Sequence, residues 1–394
     1  MTRPKLVTPT FVLVVASTFA YFLSVGILLP TLPRFVEGPL HGSDLAVGIS
    51  VGAFSISAVL LRPLAGRAGD RRGRRPLIVG GAAIVTASVI GYNAATSIPI
   101  LVAFRVISGV GEALFFTGAA SAVTDLAPEE RRGEAVSFFS LALYGGISFG
   151  PFIGETVLGR GHFAAVWWLA AGFGIVATLL ALMVRDTRPP QGSEPRSNRI
   201  IHPAAFLPGT VLACTVWGFA AFGSFVSLYA LQLGMSGSRY VFFTYSFTVL
   251  LIRLFGARLP DVLGSRRAAS IATSTAAAGL AIMALWGSPA GLYAGAFVFG
   301  AGQAFAFPAL MSLALSGAPD SERGAVVGTQ TAFVDLAFGV GSVSLGAVAH
   351  AVGYRGTFGV SAGVAIVGLV LLRTRVPVTP AEPRSGTAEI DPVL

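Results

Sequence analysis

Glu112, Asp335 and Glu155 are carboxylates set inside long apolar runs, and Arg105 precedes Glu112 by seven residues. An ionised side chain at the centre of a membrane helix costs about 2.5–3.5 kcal/mol on insertion scales, so a function or a specific partner must keep it there. A carboxylate in a low-dielectric surrounding takes up a proton more readily than in water, and a fixed cation nearby restores the charged form. Seven residues of helix put Arg105 and Glu112 on one face, about 10 Å apart along the axis. Glu112 beside Arg105 is thus a proton-loading device if their separation changes, or otherwise a static pair. Asp335 has no basic residue on its own run. It is a second proton carrier or a hydrogen-bond partner of a neighbouring helix. Glu155 falls near the end of its run, where water or a solvated face is expected.

The elements that carry these residues follow from composition. The chain has 394 residues, 54% hydrophobic and 11% charged, with a mean hydropathy of +0.76. A soluble domain carries about 25% charged residues, so this chain belongs in lipid. About 20 apolar residues cross a bilayer as a helix. That length yields twelve spans, at 10–34, 44–66, 76–96, 98–126, 132–157, 163–185, 205–232, 238–260, 267–287, 289–317, 323–350 and 354–374. The runs are continuous and do not alternate, which indicates helices and excludes a barrel.

The net charge of +9 is placed by topology and does not indicate nucleic-acid binding. With the N-terminus inside, 22 of the 27 Lys and Arg fall in or beside cytoplasmic segments. Arg34, Arg160, Arg239 and Arg355 fall outside, and Arg105 lies within a helix. This asymmetry predicts a multi-pass protein of the cell inner membrane with both termini cytoplasmic. The first apolar run is too long for a signal-peptide core and is read as the first helix. Cys214 is the single cysteine, which excludes an internal disulfide.

An internal repeat organises the chain. Arg62, Arg67, Asp70, Gly73 and Arg75 recur 191 residues later as Arg253, Arg258, Asp261, Gly264 and Arg266. The same offset relates Gly109 and Gly111 to Gly300 and Gly302, and Gly150 to Gly341. Two six-helix halves with a path between them account for this. The expected division is 1–185 as one bundle, 186–204 as a polar cytoplasmic linker, 205–374 as the second bundle, and 375–394 as a disordered tail. Under the offset Glu112 falls on Gln303.

With these motifs the sequence resembles the major facilitator superfamily over essentially its whole length. The connection from Gly66 through Asp70 and Arg71 to Gly73, Arg74 and Arg75 is similar to that family's signature loop between helices 2 and 3. Leu101–Ala113 looks like the helix-4 motif around an intramembrane arginine, here Arg105. Gly146, Gly150, Pro151 and Gly154 look like the helix-5 motif associated with antiporters, with Glu155 where a second glycine is usual.

The resemblance implies an all-α fold of twelve transmembrane helices in two pseudo-symmetric six-helix bundles. It implies a central cavity lined by helices 1, 4, 7 and 10, so that Glu112 and Gln303 face one substrate volume from opposite bundles. It also implies a latch, in which Asp70 meets the start of helix 11 and Arg74 pairs with Asp125. The glycines and Pro151 of helix 5 would make a bent, close-packed helix between the bundles. Trp217, Phe219, Phe222 and Phe225 on helix 7, with Tyr21 on helix 1, form an apolar cargo surface or ordinary packing.

The leading expectation is a secondary active transporter that exports drugs or secondary metabolites in exchange for protons. It would work as a monomer in the lipid bilayer, with a small-molecule substrate and no cofactor. The alternatives are an uptake symporter or facilitator for a nutrient, and a non-transporting membrane sensor. Neither a Walker loop nor an H-E-x-x-H pattern occurs, and no nucleophile, base and metal set converges, so no enzyme is expected.

Overall fold

In lipid every backbone polar group must find its partner within the chain, and the apolar runs do so as helices. In a computed structural model, residues 6–128, 131–159, 161–187, 202–255, 263–319 and 322–375 are described, except for the side chains of Arg323 and Gly324. They form α1 (Pro9–Glu37), α2 (Asp44–Arg72), α3 (Arg75–Gly91), α4 (Ile98–Leu126), α5 (Arg132–Leu158), α6 (Phe163–Met183), α7 (Pro203–Gln232) and α8 (Arg239–Phe255). Next come α9 (Ser265–Leu285), α10 (Pro289–Leu315) and a run Arg323–Arg375 broken at Gly353, where φ is 73°. The arms 323–352 and 354–375 of that run are α11 and α12. Counting that run as one, ten of the described helices are long and apolar enough to cross a membrane.

Helix starts carry their signals. Thr8, Ser43 and Ser288 side chains accept from the backbone N–H of Phe11, Ala46 and Gly291, and Pro9, Pro203 and Pro289 occupy the first helical position. The signature connection is more helical than expected. Helix α2 continues through Arg72, so Gly66, Asp70 and Arg71 lie on its last turns. It stops at Gly73, whose φ of 91° suits glycine alone. Asp186, beyond α6, then accepts from the N–H groups of Arg74 at 2.9 Å and Arg75 at 3.2 Å, which caps the start of α3. The remainder of the expected linker, 188–201, the tail 376–394, and Arg258 and Asp261 lie outside the described residues.

The repeat is visible in the packing. Arg75 donates to Leu182 O at 2.7 Å, and Arg266 donates to Arg373 O at 2.8 Å, each partner displaced by 191 residues. A Cβ added at Gly109 would strike Phe54 O and Ser57 on α2. One at Gly300 would strike Tyr245 O and approach Thr248 on α8, at the repeat-related positions. Within the halves α1 packs on α5 and α6, α2 and α3 on α4, and α9 on α10. The halves meet where α2 faces α11, where α5 faces α8, and where α1 faces α7.

We call the face where α1 ends and α2 begins distal, and the face bearing the α2–α3 turn proximal. Both long interfaces are tied at the distal face. There Tyr354 donates to Asp44 Oδ1 at 2.9 Å, and Gly346 packs on the backbone of Asp44 and Leu45. On the other side, Phe152 of α5 meets Phe243 of α8 with ring centroids 5.8 Å apart.

Candidate functional site

Glu112 lies fourteen residues from either end of α4 and is 6% exposed. Its Oε2 accepts a hydrogen bond of 2.7 Å from the Tyr21 hydroxyl of α1. The Tyr21 ring stacks on Phe115 with centroids 3.8 Å apart and planes 6° from parallel, and both rings are fully buried. That stack fixes the phenol, so the hydroxyl is held on the carboxylate. Phe116, one turn beyond Glu112, lies 4.4 Å beneath the guanidinium of Arg62 from α2. Arg62 in turn forms an ion pair of 2.5 Å with Asp335 of α11, in the other half. Both Arg62 and Asp335 are close enough to act electrostatically on Glu112. Four helices thus converge on one cation between two carboxylates, one from each half.

Arg105 does not pair with Glu112. Its Nε donates to Ser50 O at 2.9 Å and one terminal nitrogen to Val51 O at 3.3 Å, both on α2, while the guanidinium lies 4.6 Å from the Phe54 ring centroid. The static Arg105–Glu112 pair is therefore corrected. Shared helical phase put the two on one side of α4, but α2 carbonyls and an aromatic face capture a guanidinium as well as a carboxylate does. The cation beside Glu112 is Arg62, counted from sequence among the topology-setting arginines.

On the opposite side, Gln303 of α10 donates to Thr215 O of α7 at 3.5 Å. The α4 acid and the α10 amide thus each reach the first helix of their own half. Phe222 and Phe225 are fully buried in the core and line no surface. Phe219 and Trp217 are partly exposed, and Trp217 packs against α11 near Gly341.

Arg74 and Asp125 are in contact at the α2–α3 turn. Arg74, 2% exposed, donates to Asp125 Oδ2 at 3.0 Å and to Asp70 Oδ1 at 2.9 Å. Burial works against its charge, but the hydrogen bonds and charges of the two carboxylates outweigh this and hold its pKa above the ordinary arginine value. The start of α11, which Asp70 was expected to meet, carries Arg323 and Gly324, whose side chains lie outside the described residues, as do residues 320–321 before it.

Helix α5 departs from expectation in two ways. The face carrying Gly146, Gly150 and Gly154 packs backbone to backbone on Phe22, Gly26 and Ile27 of α1, inside one bundle rather than between the two. Small residues permit that approach wherever two helices cross. The second departure is Glu155, which is 4% exposed rather than solvated. Its Oε1 accepts from the Ser238 N–H at 2.8 Å, at the start of α8, and Ser238 Oγ donates to both carboxylate oxygens at 3.0 Å. Arg34 lies 3.4 Å away. Glu155 therefore caps a helix of the other half.

Known proteins share this architecture. A profile of the Major Facilitator Superfamily matches residues 14–243 and 209–393, which together span nearly all of the chain. The chain belongs to the major facilitator superfamily. This transporter is 28% identical to the uncharacterized MFS-type transporter STM4428 of Salmonella typhimurium over 367 residues, covering 91% of this chain and 94% of that protein. It is 27% identical to the uncharacterized MFS-type transporter YhhS of Escherichia coli K12 over 375 residues, 92% of each chain. Two solved structures share the fold: the human organic anion transporter MFSD10 (TETRAN), at TM-score 0.72, 20% identity, and coverage of 94% of this chain and 100% of that one; and the nucleoside transporter NupG, at TM-score 0.72, 14% identity, and coverage of 92% and 98%. As a superfamily member it is a multi-pass membrane transporter with two six-helix bundles.

Arg62 and Arg253 are what the sequence reading missed at the centre of this transporter. The signal was present, because both open the repeat and both would cost free energy in lipid. Under the same offset Asp335 falls on Tyr144. Arg62 meets Asp335 at one interface, and Arg253 lies over the Tyr144 ring at the other, 3.6 Å from its centroid.

Proposed function

We propose that this transporter exports small organic molecules in exchange for protons, and that Glu112 is where proton and cargo compete. The observation that carries this reading is the buried Tyr21–Glu112 hydrogen bond beside Arg62 and Asp335. One cation facing two acids leaves room for one more positive charge, which a proton supplies. A single Arg62 shared between Glu112 of one half and Asp335 of the other links proton occupancy to the contact between bundles. A proton moving inward gains about 2.3 kcal/mol per 100 mV of membrane potential, enough to drive uphill export when combined with its own gradient.

The outward direction rests on the helix-5 motif of Gly146, Gly150, Pro151 and Gly154. The arginine distribution supports a cytoplasmic proximal face, and the helical spans are in keeping with the inner membrane. The Asp70–Arg74–Asp125 cluster of the first bundle then stands at the cytoplasmic side, where it would set closure, and Glu155 on Ser238 joins the bundles at the opposite side. Everted vesicles and right-side-out vesicles under an imposed pH gradient test direction. Export predicts cargo accumulation inside everted vesicles as protons leave them, and an uptake symporter predicts the reverse.

A further inference from the structure

The two interfacial arginines are related by the repeat, yet their partners differ in kind. Arg62 is neutralised by Asp335. The position equivalent to Asp335 at the other interface is Tyr144, a neutral phenol. Arg253 therefore rests on a ring face, and among the described residues no carboxylate pairs with it. Its Nε is buried without an acceptor. A cation–π contact contributes about 0.5–2 kcal/mol, less than a carboxylate would, and leaves the N–H donors of the guanidinium unused.

The neighbourhood is also one-sided in its hydrogen bonding. Tyr144 sits twelve residues into α5, about 18 Å from its start at 1.5 Å per residue, so the guanidinium reaches well inside the span. Tyr245, on α8 two turns before Arg253, lies within electrostatic reach of both Arg253 and Tyr144. Neither phenol hydroxyl makes a hydrogen bond among the described residues. The Tyr245 ring is held among Phe219, Phe222 and Phe299, with centroids 5.8, 4.8 and 5.6 Å away. Three donor groups without a permanent acceptor thus converge beside an aromatic wall.

We infer that Arg253, Tyr144 and Tyr245 form a binding subsite for the anionic group of an amphipathic aromatic cargo, such as an aryl carboxylate or sulfonate. A guanidinium presents a planar fork that matches a carboxylate through two parallel hydrogen bonds. The phenols add donors, and the partly exposed Phe219, backed by the buried Phe222, takes the ring. The subsite spans α5 and α8, so an anion bound there engages both bundles and reports their separation. This assignment rests on the reading that the chain carries small organic molecules between its bundles. It is independent of which acid carries the proton.

The test is ligand binding to the purified full-length protein in detergent, at one pH and without any gradient. The probes are 1-naphthoate, naphthalene-1-sulfonate and the neutral 1-naphthamide. The two anions should bind at least tenfold more tightly than the amide. Arg253→Gln should abolish that preference, and Arg253→Lys should keep part of it. Equal binding of naphthoate and naphthamide by the wild-type protein overturns the proposal, as does an anion preference that survives Arg253→Gln. The wild-type comparison stands even if Arg253→Gln does not fold. Because no proton gradient is present, loss of proton coupling in flux assays leaves this result untouched, and loss of anion preference leaves proton coupling untouched.

Discussion

Arg62 of α2 and Asp335 of α11 lie 273 positions apart in sequence and form a single ion pair across the two halves of the chain. The guanidinium also covers Phe116, one helical turn from Glu112. A side chain that touches the other bundle while acting on the buried acid of its own bundle is where protonation and bundle separation can be linked.

Neutralising one partner of this pair should harm the protein more than replacing both. Asp335→Asn removes the carboxylate that pairs directly with Arg62, and breaking a buried pair costs about 3–5 kcal/mol. Part exposure of both side chains, at 15% and 16%, places the effect at the low end. An Arg62→Leu, Asp335→Leu double variant should recover most of the thermal stability yet transport nothing. Thermal unfolding of Arg62→Leu, Asp335→Leu and the double variant measures this coupling; strict additivity would refute it.

The proximal cluster should set a conformational equilibrium without touching cargo. Asp70→Asn removes one of the two carboxylates on Arg74. We expect transport to fall steeply while cargo binding survives, with the state open at the distal face depopulated. Arg74 has a raised pKa, so its contribution is complete at physiological pH and is lost only in strong alkali. Accessibility of cysteine probes at either face that matches wild type, with normal flux, would remove the latch from the account.

At the distal face, Glu155 should hold α5 to α8 when that side is closed. Glu155→Gln removes a charge-assisted bond to the Ser238 N–H, with a contribution of about 1.5–3 kcal/mol. The variant should therefore favour opening at that face and label faster at a cysteine placed near Ser238. Slower or unchanged labelling would show that the cap does not resist opening.

The fold was largely legible because a membrane imposes simple rules: span length, helix signals and the 191-residue repeat. The Arg74–Asp125 pair was likewise readable from the motif. Individual side-chain partners were harder to read. Arg105 and Glu112 share a face of α4, but nothing in sequence shows that α2 offers carbonyls to one and α1 a phenol to the other. Glu155 looked solvated because its distance from the helix end was known and the start of α8 above it was not. Arg62 and Arg253 were absorbed into the charge rule, although Asp335 and Tyr144 stand at matching positions and mark them as a related pair.

The orientation can be checked separately from mechanism. The segment 186–204 should be reachable by a membrane-impermeant label only after the cell is opened. Labelling of that segment in intact cells would invert the assignment of the proximal face.

The central claim is that Glu112 carries the proton that drives transport, and the most direct measurement is flux in everted vesicles with Glu112→Gln. The amide imitates the protonated acid and can still accept from Tyr21. Transport driven by a pH gradient should vanish, while cargo binding persists and becomes nearly independent of pH. Normal proton-driven flux in Glu112→Gln, with loss in Asp335→Asn, would contradict the account and move the proton to α11.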